Sequence, residues 1–265
     1  MSPYKGKSTW GIYKPNNKEP HKLSRTKLDL FVNCPRCFYL DQCLGVKRPA
    51  SFPMTLNNAV DYLMKKEFDK YRELGEAHPL MKQYKIDAVP FNDSKMEEWR
   101  DALKRGVSFL HKKTNLILRG GVDDIWINKK GELIVVDYKA TSKDEEITLD
   151  DEWKIQYKRQ MEIYQWLLKQ NGYKVSDIGY FVYVNAKTDR EALDAKLDFD
   201  VTIIPYEGDT DWIEPVVLKM KECLDLPKAP AAHPDCEFCG YRKSAGEELQ
   251  KLIKESKIKS GNLFE

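Results

Sequence analysis

The stretch LRGGVDDIWINKKGELIVVDYKAT, Leu118 to Thr141, constrains the fold of this 265-residue chain more than any other part of it. Two short apolar runs flank Asn128-Lys129-Lys130-Gly131, a turn sequence, and so predict a β-hairpin over 117–140. Side chains alternate faces along a strand. Asp123, Ile125 and Ile127 therefore share one side of the first strand, and Leu133, Val135, Asp137 and Lys139 one side of the second. An Asp and a Lys on an otherwise apolar strand face are costly to bury unless they are paired or used. With Asp123 brought alongside by the neighbouring strand, the hairpin gathers two carboxylates and one amine into a compact site. The plainer alternative is an ordinary buried salt bridge between Lys139 and one of the aspartates.

The length allows one large domain or two small ones with a substantial core. A hydrophobic content of 42% with 32% charged residues places the chain among globular proteins rather than disordered ones. No apolar run approaches the length of a membrane span, and MSPYKGKSTW lacks the apolar stretch of a signal peptide, so the expected compartment is the cytoplasm, with no membrane partner. Six cysteines there read as thiols or metal ligands rather than disulfides. The net charge of +2 makes no case for nucleic acid by itself. Residues 1–50, however, carry ten Lys or Arg against three acids, either a solvated basic tail or a surface able to track a phosphate backbone.

Residues 1–22 read as an irregular basic arm, 23–245 as a single domain, and 246–265 as a charged helix and tail. Ser24 caps a helix over 24–39, interrupted by Cys34-Pro35-Arg36-Cys37. A second helix over 55–74 carries Val60, Leu63, Met64 and Phe68 as its apolar stripe, and a third covers 94–112. After the hairpin and an acidic loop over 143–151, a long helix over 152–170 buries Trp153, Tyr157, Met161, Tyr164 and Leu168 and stops at Asn171-Gly172. Strands over 178–185 and 195–205, a helix ending near 226 and a Pro- and Ala-rich linker over 227–234 lead to Cys236-Glu237-Phe238-Cys239. This order predicts an α/β fold with a mixed sheet.

Hard divalent cations take oxygen ligands, commonly one or two carboxylates with water and substrate phosphate. Asp123 and Asp137 supply such ligands. Lys139 beside them is placed to orient or help deprotonate a water, or to stabilise charge growing on phosphorus. Gly121-Val122-Asp123, thirteen residues and then Asp137-Tyr138-Lys139 resemble the core motif of the PD-(D/E)XK nuclease superfamily, RecB-like branch. Gln160-Met161-Glu162-Ile163-Tyr164 resembles the Q-x-x-x-Y motif that follows this core. SRTKLDLFVNCPRCFYL, 24–40, is similar to the branch's opening helix with its Cys-Pro pair. Cys236-x-x-Cys239 stands where the iron–sulfur subset carries its C-terminal cysteines. The similarity runs over 24–245 and extends to CRISPR-associated RecB-like exonucleases and AddAB-type nuclease domains.

The resemblance implies a restriction-endonuclease-like core, a central mixed β-sheet flanked by helices, with a helical N-terminal part and a Cys-bearing C-terminal segment. It also implies a divalent-metal-dependent DNA nuclease, an exonuclease or single-strand-specific, serving DNA repair, recombination or CRISPR adaptation, with DNA and the proteins of those pathways as partners. Asp123 and Asp137, with the Tyr138 backbone carbonyl, would hold Mg²⁺ or Mn²⁺, and Lys139 would position the attacking water. Gln160 and Tyr164, one helical turn apart, would meet the DNA or brace the site. Asp124 is a rival ligand that strand alternation turns away. Where the branch often has a His in a Gly-x-x-x-His setting, this chain reads Asn57-Asn58-Ala59-Val60-Asp61, so Asp61 is either a substitute ligand or a solvent-facing acid. Cys34, Cys37, Cys236 and Cys239 have the count and spacing of a four-thiolate site for a [4Fe–4S] cluster or, alternatively, Zn²⁺. The last cysteine of the iron–sulfur relatives falls near Ala245 here, and Cys37, or as second candidate Cys43, would take its place. These departures motivate a second reading: a nucleic-acid-binding or scaffolding protein that has kept the fold and lost catalysis.

Overall fold

The computed structural model describes residues 6–49 and 54–261, with side chains as far as 253. These residues fall into two compact units, one drawn from 1–17, 30–50 and 219–265, the other from 18–29 and 51–218. In chain order the elements are β1 (His21–Ser24), α1 (Arg25–Asn33), α2 (Pro35–Leu44), α3 (Thr55–Leu74), α4 (Pro79–Gln83), β2 (Ala88–Pro90), α5 (Met96–Arg100), β3 (Val107–His111), β4 (Leu116–Gly120), β5 (Asp124–Asn128) and β6 (Leu133–Thr141). They continue with α6 (Ile155–Gln170), β7 (Ile178–Ala186), β8 (Phe199–Glu207), α7 (Ile213–Leu224) and α8 (Glu237–Gly261). Among the described residues no helix is long and apolar enough to cross a membrane.

The larger unit is built on the hairpin. Asn128 Oδ1 accepts from the backbone N–H groups of Lys130 at 2.9 Å and Glu132 at 3.0 Å, and Gly131 takes the left-handed φ of +72° that closes the turn. β5 and β6 thus pair antiparallel at the centre of a five-stranded sheet ordered β2-β5-β6-β7-β8. Every pairing in it is antiparallel except β6 with β7, whose parallel register needs a long connection, and α6 supplies it. β6 is covered on both faces, which is why its first residues, Leu-Ile-Val-Val, do not alternate in polarity. A second sheet, ordered β1-β4-β3, joins β1 parallel to β4 and β3 antiparallel to it.

One face of the large sheet packs on α3. Phe68 is fully buried and its ring stacks on His78 (centroids 4.2 Å apart) and Trp126 (5.5 Å), in a cluster that includes Met64, Ile134, Val136, Tyr138 and Val182. The opposite face packs on α6, where residues 160–168 are all buried. The fit there is tight: a Cβ on Gly179 would lie 2.4 Å from Met161 Sδ.

Asp124 ties these parts together. Its side chain has no exposed surface, and its Oδ1 meets Arg72 Nη2, Arg100 Nη2 (3.0 Å) and the Ile125 N–H (2.8 Å). Tyr138 Oη donates to its Oδ2 at 2.7 Å. Arg72 and Arg100 also share Asp69 on α3. Burial alone would expel such a charge, and paired cations and donors from α3, α5 and β6 keep it.

The smaller unit sets α2 against the end of α7 and the segment after it. Tyr13 Oη donates to Asp225 at 2.5 Å, Tyr39 Oη to the Leu226 carbonyl at 3.1 Å, and Arg36 Nε to the Pro230 carbonyl at 2.8 Å. Gly45 ends α2 at a φ of +71°, and a Cβ there would collide with the Ser8 carbonyl.

Several expectations need correction. The helix expected over 94–112 is only α5. It stops at Arg100, because Asp101 leaves helical geometry (ψ 79°), Gly106 then turns the chain at a φ of +79° against the Gly120 carbonyl, and Val107–His111 is recruited as β3 by β4. The helix expected over 24–39 is two helices, because Pro35 forces Cys34 into an extended conformation (φ −167°, ψ 106°). The irregular arm ends in β1, whose Leu23 is fully buried. The strand expected over 195–205 begins at Phe199, since Asp194 and Ala195 adopt positive φ in a turn. Leu63 (61% exposed) and Trp153 (52% exposed) are outside the core. For Trp153 the cause is a 3₁₀ turn at Glu152–Lys154, which has fewer residues per turn than α6 and rotates the ring off its stripe.

Asp124→Ala, which removes the buried acceptor of a phenol and the fully buried partner of two guanidiniums, is expected to lower the unfolding free energy by about 3–5 kcal/mol. Asp123→Ala, at a partly exposed neighbour, should cost about 1 kcal/mol or less. Urea titrations of both variants check the contrast.

Candidate active site and four-cysteine centre

The β5–β6 register pairs Asp124 with Val136, and one further step sets Asp123 opposite Asp137. Asp137 has no exposed surface. Its Oδ2 faces the Lys139 ammonium, and its Oδ1 accepts a 2.7 Å hydrogen bond from Gln160 Nε2. The same amide donates to Tyr164 Oη at 3.2 Å. The Lys139 ammonium also lies 4.4 Å from the centre of the Tyr157 ring. Asp123 Oδ2 accepts from the Tyr138 N–H at 3.1 Å, and Arg100 Nε holds the Asp123 carbonyl at 3.0 Å. Asp123 Oδ1 pairs with Lys65 Nζ at 3.1 Å, and that ammonium also binds Asp61 Oδ2 at 2.8 Å.

Burial raises the Asp137 carboxyl; the Lys139 charge opposes the rise and repulsion from Asp123 adds to it, leaving the group at about 6. Asp61 is raised by burial and then by Asp123. Lys65 is also raised: burial works against its charge, but Asp123 and Asp61 outweigh it. Burial pushes the Tyr164 phenol up to about 12, so it stays protonated.

Asp61, Asp123, Asp137, Lys139, Gln160 and Tyr164 all lie in the larger unit and are linked by the contacts above. Gln160 and Tyr164 are buried and orient Asp137 from behind. The Tyr138 side chain goes to the opposite face and binds Asp124. Asp124 itself is enclosed by its arginines. Sequence reasoning missed Lys65 and Arg100, and also Arg25, whose charge lowers both Asp137 and Tyr164. The Asp61–Lys65 spacing of four was the available signal for Lys65. Gly120 was a second missed feature: a Cβ there would sit 2.5 Å from the Tyr164 ring, so the glycine makes room for it.

The site's donor set is oxygen-rich, as Mg²⁺ and Mn²⁺ require. Asp123 and Asp61 are partly exposed, and Asp137 Oδ2 pairs with the Lys139 ammonium. These residues fit a divalent ion.

In the smaller unit Cys34, Cys37, Cys236 and Cys239 come together, all buried, with their sulfurs within 4.8 Å of one another. Leu30 and Ala232 pack against them. The backbone N–H of His233 points at Cys34 Sγ (3.5 Å) and Arg48 Nη2 at Cys236 Sγ (3.4 Å). Burial would raise the Cys34 thiol, but the His233 and Cys37 backbone groups and the neighbouring thiols bring it down to about 6. Burial pushes Cys239 up to about 12.

A family model described as the PD-(D/E)XK nuclease superfamily matches residues 22–244. The mixed sheet between α3 and α6 agrees with the restriction-endonuclease-like fold of that group. No curated protein matches the chain. A solved structure described as "Crystal structure of SSO0001" is similar at 18% identity over 81% of each chain, with a TM-score of 0.34.

The folded protein holds the Asp137 proton more tightly than the unfolded chain, whose carboxyl has its ordinary value of 3.8. Asp137 therefore favours the fold below that value and stops doing so as pH rises through about 6. In metal-free protein, the unfolding free energy of the wild type relative to Asp137→Asn should fall between about pH 4 and pH 7. Urea unfolding of both proteins across that range is the measurement; parallel curves would contradict it.

Proposed function

The chain belongs to the PD-(D/E)XK nuclease superfamily, and we propose that it acts as a divalent-metal-dependent deoxyribonuclease hydrolysing phosphodiester bonds from ends or in single strands. DNA repair, recombination or CRISPR adaptation is the setting we propose, in the cytoplasm and alongside other proteins of those pathways. The observation that carries the reading is the linked set of Asp123, Asp137 and Lys139 on paired strands, with Gln160 bracing Asp137. Asp123, Asp137 and the Tyr138 carbonyl would hold Mg²⁺ or Mn²⁺, with Asp61 as a further carboxylate. When bound, the ion would polarise a phosphoryl oxygen and neutralise charge there.

The remaining work falls to the chain. Gln160 fixes the Asp137 carboxylate in one orientation, and Tyr164 fixes Gln160. Lys139, held between Asp137 and the Tyr157 face, keeps a positive charge beside the place where water attacks phosphorus. Lys65 occupies the cationic position between Asp61 and Asp123, and a bound divalent ion has to compete with it. That ion pair favours a second reading, a nucleic-acid-binding protein without turnover, because an ammonium already neutralises the carboxylates.

Asp137→Ala and Lys139→Ala should each lower Mg²⁺- or Mn²⁺-dependent DNA cleavage by about 10³-fold or more, and Gln160→Ala by about tenfold. If the wild type cleaves no form of DNA or RNA in either metal but binds DNA in a salt-sensitive way, the second reading holds instead. Lys65→Met, which removes the competing ammonium, should tighten Mn²⁺ binding several-fold in calorimetric titration. Unchanged affinity would show that Lys65 does not guard the site.

A further inference from the structure

The four-cysteine centre has a size as well as a composition. Cys34 Sγ lies 3.9 Å from Cys239 Sγ, and Cys37 Sγ lies 3.6 Å from both Cys236 Sγ and Cys239 Sγ. All four sulfurs fall within 4.8 Å of one another. Four thiolates around a single zinc, at a bond length of about 2.3 Å, stand about 3.8 Å apart along the edges of the tetrahedron. A four-iron cluster seats each thiolate on a different iron, with the whole cube between them, and so holds the sulfurs on the order of 6 Å apart. We propose that this centre takes one tetrahedral Zn²⁺ and not the [4Fe–4S] cluster that the resemblance implies.

The backbone enforces this spacing. Each Cys-x-x-Cys forms the start of a helix, α2 in one case and α8 in the other. In both, the carbonyl of the first cysteine accepts from the N–H four residues on: Phe38 to Cys34 at 3.1 Å, Gly240 to Cys236 at 2.9 Å. Two like turns therefore present two thiolates each, a two-plus-two set rather than the one-plus-three set of the iron–sulfur relatives. Ala245, at the position of their last cysteine, is a further turn and more along α8 and offers no ligand. The two remaining cysteines point elsewhere, Cys43 Sγ to the Leu224 carbonyl (3.7 Å) and Cys223 Sγ to the Pro35 carbonyl (3.8 Å). His233 turns its ring to Asp235. Arg48, lying 4.4 Å from the Phe238 ring centre and bonded to Cys236 Sγ, offsets the negative excess of four thiolates about a dication. As each Zn–S bond forms a thiol releases its proton and no electron moves, so the ion is a structural clamp between the two segments.

The test uses the whole chain, purified anaerobically, with metal content and visible absorbance as readouts; neither depends on nuclease turnover. We expect one zinc per chain and no visible band, and exchange with Co²⁺ should give the ligand-field bands of a tetrahedral thiolate site. Cys37→Ser should lose zinc to a chelator at least tenfold faster, with Cys43→Ser unchanged. If Cys37→Ser does not fold, the cobalt spectrum of the wild type decides. About four irons per chain with a visible band bleached by dithionite, as isolated or after reconstitution with iron and sulfide, would overturn the proposal. So would the absence of any bound metal.

Discussion

A carboxylate with no exposed surface holds the larger unit in register. Asp124 accepts from two arginines, a tyrosine and a backbone N–H, and those partners come from α3, α5, β6 and β5. Without it the Tyr138 hydroxyl and the Ile125 N–H would lose a buried acceptor and the two arginines would keep only Asp69 and backbone carbonyls, so the elements resist sliding. Arg100 extends the network by one bond to the Asp123 carbonyl. The neighbouring carboxylate is thus positioned through its backbone, while alternation sends its side chain the other way, towards Asp137. Two adjacent aspartates of identical chemistry have different tasks because the strand has a period of two.

The electrostatics divide the site into a soft and a hard half. Lys65, Asp61 and Asp123 retain 20%, 35% and 22% of their side-chain surface, so their ion pairs are worth about 1 kcal/mol or less and yield easily to a divalent ion. Asp137 and Lys139 are at 0% and 15%, and parting them would strand a buried charge at a cost of about 3–5 kcal/mol. A cation can therefore remodel the first half while the second keeps its geometry.

Much of this was legible in the sequence where the signal is local. The hairpin followed from Asn128 and Gly131, α3 from its apolar period, and the Asp123–Asp137–Lys139 grouping from alternation alone. Reading failed where the deciding partner is distant. The charged run over 95–105 is rich in helix-forming residues and hides the boundary at Gly106, and only β4 reveals that 107–111 is a strand. Lys65 looks like half of an ordinary surface pair until Asp123, far along the chain, takes its other side. For the cysteines, spacing predicted the foursome but not the distances between its sulfurs, because these depend on how two helix starts pack.

The parallel pairing of β1 with β4 has a consequence for the order of events during synthesis. His21 pairs with Leu116 and Ser24 with Arg119, and no hairpin can bring such partners together. A ribosome adds about 5–20 residues per second, so β1 waits for several seconds after it emerges before its partner strand exists. During that interval the fully buried Leu23 has no core to enter. The strand can therefore dock only once β4 has been made, about ninety residues later in the chain.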